Sequence, residues 1–123
     1  MTHQKVNLAE KLAAFAEHWV PKIVGELNGQ YVKVVKFQGE YVWHRHEHED
    51  ELFLALKGSF DIHLRDRIVT LRQGELFIVP RGMEHRPVAK QEAHALLFEP
   101  IATRNTGNVD DARTIGPEAL ERI

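Results

Sequence analysis

Apolar residues near the N-terminus recur every three or four positions, which predicts an amphipathic helix over residues 8–18. Asn7 precedes this segment as a candidate N-cap, with Glu10 three residues further on, and Pro21 follows it. We expect the helix to lie as a flap against the rest of the protein or against a neighbouring subunit. Its apolar positions are Leu8, Leu12, Phe15 and Trp19.

From residue 30 the period of the apolar positions changes to two, which indicates β-strands with one buried face. Turn-forming dipeptides such as Gln38-Gly39 and Gln73-Gly74 separate the runs. Eight short strands joined by tight turns predict an all-β fold, namely a jelly-roll barrel. The predicted strands are Tyr31 to Phe37, Tyr41 to His46, Glu51 to Lys57, Ser59 to Leu64, Arg67 to Leu71, Leu76 to Val79, His85 to Val88 and Ala93 to Phe98.

The chain is expected to form one domain in three parts, because 123 residues suffice for a single core. Residues 1–29 hold the helix and a lead-in, and residues 30–100 form the barrel. The strand pattern is lost after Pro100. Residues 101–123 should therefore be a C-terminal tail that packs on the barrel or on a partner, with room for one short helix from Gly116 onward.

Composition and charge exclude several classes of partner. The net charge is -2 and the basic residues are dispersed, so the electrostatic surface expected for nucleic-acid binding is missing. No apolar run is long enough to span a membrane. The absence of cysteine excludes disulfides and thiolate metal sites. With no secretory signal pattern at the N-terminus, we expect a soluble protein of the cytoplasm.

Histidine is the exception in this ordinary composition: the chain has eight, and three of them alternate between residues 44 and 48. Side chains two apart on a strand share a face, so His44 and His46 stand about 6–7 Å apart and can reach one ion. Glu51 lies beyond a charged bend, at the start of the next predicted strand. His46 and His48 form a rival pair, but only two residues separate His48 from Glu51.

His85 is the fourth candidate ligand of the same ion. The turn Pro80-Arg81-Gly82 precedes it and fixes the backbone that aims the imidazole. Three imidazoles and one carboxylate suit iron, manganese, nickel, cobalt or zinc better than calcium or magnesium. In an octahedral site, such a set leaves two positions open for water or a ligand.

These two blocks resemble the two conserved motifs of the cupin superfamily, a family of jelly-roll (double-stranded β-helix) proteins. The first motif covers Gly39, His44, His46, Glu51 and Gly58, with four rather than five residues between Gly39 and His44. The second motif is matched by Gly74, Pro80-Arg81-Gly82 and His85, while Ala89 replaces its terminal asparagine. The match spans about 40% of the chain.

The segment Asn105-Thr106-Gly107, together with the N-terminal helix, is similar to a branch of small single-domain cupins related in fold to mannose-6-phosphate isomerase. The resemblance implies one metal ion held by His44, His46, Glu51 and His85. It implies a metal-dependent enzyme acting on a small molecule, either an oxygenase or a sugar-phosphate isomerase. The alternative is a non-catalytic module that binds or senses a small molecule. Catalytic residues other than the metal ligands are not identified.

A homodimer is expected from two features. An open β-sandwich leaves edge strands exposed, and exposed edges favour pairing with another chain. The N-terminal helix also has an apolar face with little of its own segment to pack on.

Overall fold

A computed structural model describes residues 4–123 as one short α-helix, seven β-strands and a single turn of 3-10 helix. The predicted all-β jelly-roll barrel with an N-terminal helix is confirmed. The elements are α1 (Leu8–Ala13), β1 (Lys22–Leu27), β2 (Gln30–Glu40), β3 (Glu51–Lys57), β4 (Phe60–Leu64), β5 (Ile68–Leu71), β6 (Leu76–Val79), β7 (His85–Pro100) and the 3-10 helix Pro117–Ala119.

All strand pairs are antiparallel, and the longest strand, β7, joins the two layers of the barrel. The larger layer has the order β1-β2-β7-β3-β6. The first residues of β7 pair with β4, which in turn pairs with β5, whereas its later residues lie between β2 and β3. One strand therefore carries side chains into both halves of the interior.

The interior is filled by the inward-facing side chains of both layers, and aromatic residues dominate it near the N-terminal lead-in. The Trp19 ring stacks on Phe37 and Tyr41 at centroid distances of 4.8 and 4.7 Å. Fully burying a large apolar side chain stabilises the fold by roughly 1.5–3 kcal/mol. The rest of the core is mainly Val35, Phe53, Phe60, Ile62, Leu64, Leu71, Val79 and Leu97.

The N-terminal helix begins where the sequence predicts but ends early, so the prediction of a helix to residue 18 is wrong. The backbone amide of Glu10 donates to the Asn7 side chain at 3.0 Å, which is an N-cap. The helix ends at Ala13, and Trp19 has a φ of 66°. Burial of Trp19 in the core takes it away from the helix face that its spacing suggested.

Strand β1 lies within the segment that we assigned to helix and lead-in, and no strand was predicted there. It pairs with β2 through the turn Asn28-Gly29, whose residues both have positive φ. An Asn-Gly pair is a strong hairpin signal, so this strand was detectable in the sequence. The lead-in is therefore part of the sheet.

Two other strand predictions also differ from the structure. Residues 41–46 form no strand; only an isolated bridge joins His44 to His85. The predicted strands at 85–88 and 93–98 are one continuous strand, β7. Seven strands thus replace the eight predicted, within the residues described.

The chain after Pro100 folds back over the barrel. The backbone amide of Asn108 donates to the carbonyl oxygen of Arg45 at 3.0 Å. The backbone amide of Arg45 donates in turn to the side-chain oxygen of Asn108 at 2.8 Å. At the C-terminus, the Ile123 amide donates to the carbonyl of Ile23 at 3.0 Å. The segment therefore covers the loop that carries the histidines. None of the described helices has the length and apolar character to cross a bilayer.

Candidate metal centre

The fold brings together all four residues that the sequence nominated as metal ligands. His44 and His46 lie in the connection between β2 and β3, Glu51 is the first residue of β3, and His85 is the first residue of β7. One donor atom from each lies within 4.8 Å of the others, and all four side chains are buried. The bridge between His44 and His85, with amide-to-carbonyl distances of 3.0 and 2.9 Å, holds the two sequence blocks together.

Backbone carbonyls orient two of the three imidazoles. Nδ1 of His44 lies 2.9 Å from the carbonyl oxygen of Val42, and Nδ1 of His85 lies 2.9 Å from that of Met83. Each Nδ1–H therefore donates to a carbonyl, which leaves Nε2 as the free lone pair. Ligating histidines are held in this way in metal sites, where the outer hydrogen bond fixes both the tautomer and the ring direction.

His46 is the most informative candidate ligand, because both of its ring nitrogens are buried without a hydrogen-bond partner. Its Nε2 lies 3.2 Å from Oε1 of Glu51 but outside hydrogen-bond geometry, and Nε2 of His85 lies 3.3 Å from the same oxygen. Buried polar atoms are rarely left unpaired in native proteins. The donor set thus fits a metal ion, which would satisfy one of the two unpaired nitrogens of His46.

The spacing of the donor atoms is slightly wider than an ion requires. Bonds of about 2.1 Å place opposite donors at most about 4.2 Å apart. Donor atoms within 4.8 Å of one another therefore need to close by about half an ångström around an ion of this size.

The charges within the cluster favour the metal-binding protonation states of His44 and Glu51, whereas the negative charge of Glu51 favours the protonated form of His46. Burial, helped by the nearby imidazole of His85, lowers the pKa of His44 to about 3. Burial alone would raise the pKa of Glu51, but the adjacent His46 holds it well below its usual range. Burial lowers and the charge of Glu51 raises the pKa of His46, with a net increase. At neutral pH, His44 is neutral and Glu51 is ionised.

A second buried pair, Lys33 and Glu99, lies beside this cluster and was missed by the sequence analysis. Nζ of Lys33 lies 2.8 Å from Oε1 of Glu99, and the two side chains are 0% and 2% exposed. The Glu99 carboxyl contacts that of Glu51; burial, followed by this negative neighbour, raises the pKa of Glu99 well above its usual range. Strand parity places both residues inward, and that signal could have revealed them.

A cleft adjoins the cluster and opens between the barrel and the lead-in segment. The space that it leaves for a water-sized molecule is small, about 30 Å³. Among the described residues, no lysine or arginine lines it, so it offers no cationic group to a phosphate. The lining residues are Trp19, Pro21, Val35, Phe37, Tyr41, His44, Glu51, Phe53, Pro87, Leu97, Glu99 and Asn105.

The remaining candidates from the histidine-rich stretch lie outside the cluster. His48 is exposed, and Arg45 pairs with Glu47 at 2.6 Å on the surface. Trp43 faces away from the cluster, where the guanidinium of Arg65 lies 3.8 Å from its ring centroid. The structure therefore groups His46 with His44, not with His48.

The barrel and its cluster of three histidines and one glutamate define a jelly-roll protein with a candidate metal centre. Residues 31–100, more than half of the chain, match the family model described as Cupin domain. The chain belongs to this family, and the family resemblance seen in the sequence is confirmed. Membership of the mannose-6-phosphate isomerase-like branch stays a prediction.

The chain is similar to three proteins, two of them of known structure. A cupin-2 domain containing protein from Shewanella frigidimarina is 40% identical, with a TM-score of 0.76 over 77% of this chain and 93% of that one. Protein NMB1881 from Neisseria meningitidis is 33% identical, with a TM-score of 0.73 over 79% and 99%. The uncharacterized protein YdbB of Bacillus subtilis is 36% identical over 64 residues, which cover 51% of this chain and 57% of YdbB.

Proposed function

We propose that this cupin binds one divalent transition metal through His44, His46, Glu51 and His85 and is a metal-dependent enzyme acting on a small molecule. The observation that carries the proposal is the buried convergence of four donors, one of which, His46, has no other hydrogen-bond partner. Iron, manganese, nickel, cobalt and zinc all suit such donors. The cofactor is one ion of this group.

The chemistry of the cleft favours an oxygenase over a sugar-phosphate isomerase. A phosphate group needs cationic or clustered amide donors, and no lysine or arginine of the described chain lines the cleft. Lys33 is close but is already paired with Glu99. The walls are aromatic and aliphatic, chiefly Trp19, Phe37 and Phe53, so the lining suits an apolar group of a small organic molecule better than a phosphate.

The chain's own residues would position the ion and keep water from it. When bound, the metal supplies a Lewis acid or redox centre with open coordination positions. The carbonyls of Val42 and Met83 hold two imidazoles in place. The stacked rings of Trp19 and Tyr41 close one side of the cleft, and a dry site strengthens every charge interaction within it.

The test is metal content followed by turnover. Purified protein is analysed for metals beside the His46→Ala variant, and then loaded anaerobically with Fe(II). We expect oxygen uptake with members of a panel of small phenols, diketones and hydroxy acids. A metal-loaded protein that consumes no oxygen, yet converts a sugar phosphate, would move the proposal to the isomerase branch.

A non-catalytic binding or sensing module is the second candidate, and one observation favours it. Apart from His44 and Glu51, the only titratable groups of the described residues that line the cleft are Tyr41 and Glu99. Burial raises the pKa of Tyr41 far above neutrality, so its hydroxyl stays protonated. A small molecule retained in native mass spectrometry, with no turnover after loading with each of the five metals, would support this alternative.

A further inference from the structure

Burying the Lys33–Glu99 pair in the interior of a small barrel has a cost in folding free energy. Both side chains lose their hydration, and replacing such a pair by apolar residues of similar volume is often neutral or stabilising. Tyr31 of β2 pairs with Glu99 of β7, so the carboxyl projects from the inner face of the sheet. Stability therefore does not account for a charged pair at this position.

The position of the Glu99 carboxyl accounts for the presence of the Lys33–Glu99 pair in the interior. Glu99 lines the same cleft as His44 and Glu51. Lys33 binds only Oε1, at 2.8 Å, and Oε2 is buried with no hydrogen-bond partner. Leaving a buried polar atom unpaired is destabilising, so a ligand group that satisfies Oε2 recovers that cost on binding.

The other walls near Glu99 limit what that ligand group can be. The neighbouring lining residues Val35, Phe53 and Leu97 are apolar. The one carboxyl in contact, that of Glu51, is a candidate metal ligand. A polar ligand atom on this side of the cleft therefore meets Glu99 or the ion. A hydroxyl group suits this position, because it both donates and accepts and so matches a carboxyl in either protonation state.

We propose that Glu99, held by Lys33, is a specificity-determining residue that selects small ligands carrying a hydroxyl group next to their metal-binding atom. This inference rests on the proposed metal site and names the class of molecule that the site takes. Lys33 is a positioning residue: it binds Oε1 and leaves Oε2 without a protein hydrogen-bond partner.

The test compares two probes that differ by one hydroxyl group. Glycolate and acetate are titrated into the cobalt(II)-loaded protein, and binding is followed by the cobalt absorption spectrum. We expect glycolate to bind about tenfold more tightly than acetate, a factor within reach of one added hydrogen bond. No turnover is needed, so the result does not depend on the reaction.

Variants separate a role in recognition from a role in folding. In the cobalt-loaded double variant Lys33→Met/Glu99→Leu, which replaces the pair by apolar side chains, we expect the glycolate preference to disappear. Glu99→Gln keeps a hydrogen-bonding group and should retain most of the preference. The matched control is Lys22→Met/Glu121→Leu, which removes another lysine–glutamate pair, with a contact of 2.8 Å, whose members do not line the cleft.

Each outcome decides the question. Equal affinities of the unaltered protein for glycolate and acetate overturn the inference, even if the double variant fails to fold. A preference that survives in a cobalt-loaded Lys33→Met/Glu99→Leu variant also overturns it. Failure of the unaltered protein to bind cobalt or any other metal overturns the metal site itself, which is a different result.

Discussion

Gly107 in the C-terminal segment lies directly against the backbone of Arg45, which stands between two candidate metal ligands. A Cβ at position 107 would lie 2.2 Å from the carbonyl oxygen of Arg45 and 3.0 Å from Cδ2 of His44. Gly107 also has a φ of 56°, which residues with a side chain rarely adopt. Only glycine lets the segment approach this closely.

We expect Gly107→Ala to destabilise the protein by about 2–4 kcal/mol, because the new methyl group displaces the segment from the histidine loop and breaks both Asn108–Arg45 hydrogen bonds. The control is Gly74→Ala. Gly74 also has a positive φ, but no atom lies within 4 Å of the position that its methyl group would take. The Gly74→Ala variant should lose only about 1 kcal/mol of unfolding free energy, from backbone strain. Equal midpoints of the two variants in urea would contradict this account.

His46→Ala should reduce bound metal at least about tenfold, because it removes a donor whose two ring nitrogens have no other partner. His48→Ala is the matched control, since His48 is exposed and is the other member of the rival pair. Elemental analysis of both purified variants decides between the two possible histidine pairs. Retention of metal by His46→Ala, with loss in His48→Ala, would exclude the proposed ligand set.

Lowering the pH should destabilise the metal-free protein through His44. Its pKa is lowered to about 3 in the folded state, against an ordinary value of 6.5. Between these two values the unfolded chain binds a proton that the folded protein does not, so stability falls as the pH drops from about 7 towards 3. Each unit of pKa difference corresponds to about 1.4 kcal/mol.

His46 opposes this trend, because its raised pKa adds stability that is present below its ordinary value and is lost as the pH rises. Urea denaturation of metal-free protein at pH 7 and pH 5 gives the net effect. The variant His44→Phe, which has no titratable ring, should show a smaller loss at pH 5 than the unaltered protein. If the unaltered protein and the His44→Phe variant lose the same unfolding free energy between pH 7 and pH 5, groups other than His44 cause the pH dependence.

Bound metal should also leave as the pH falls through the histidine range, because ligation requires unprotonated imidazole nitrogens. The ionised state of Glu51 persists to lower pH, since its pKa lies well below the usual range. We expect metal content after dialysis to be lower at pH 5 than at pH 8. Equal content at the two pH values would count against imidazole ligation.

A homodimer remains our expectation, and the outer face of the larger sheet is where we place it. Leu76 and Ile78 on β6, an edge strand that pairs only with β3, are 54% and 52% exposed. They lie in register with further apolar residues on β3 and β7, so the patch continues across three strands. Those neighbours are Leu52, Leu54, Leu96 and Phe98.

A second copy of the chain suits this face. The apolar patch on this face can be covered by the same patch of a second copy related by a two-fold axis. Light scattering at micromolar concentration should show a dimer, and Leu76→Lys/Ile78→Lys should show a monomer. Ile68→Lys, on the exposed side of β5, is the control and should stay dimeric. A monomeric unaltered protein would refute the expectation.

Most of the fold was predictable because burial on one face imposes a period of two on each strand. Leu76–Val79 was predicted to the residue, and the predicted strand at residues 51–57 matches β3. The helix was predicted too long because Trp19 has helical spacing but is buried against Phe37 instead. Local spacing records which residues are apolar, but not which partner buries them.

The sequence by itself determined which residue types were available for a metal site, because motif spacing set His44, His46, Glu51 and His85 apart from the other polar residues. Only the tertiary structure decided their surroundings. It placed the Lys33–Glu99 pair beside the cluster, laid the C-terminal segment over the histidine loop, and lined the cleft with aromatic side chains rather than cations. These contacts join segments that are distant in the sequence, and a closed barrel brings them together for reasons of packing that no local pattern records.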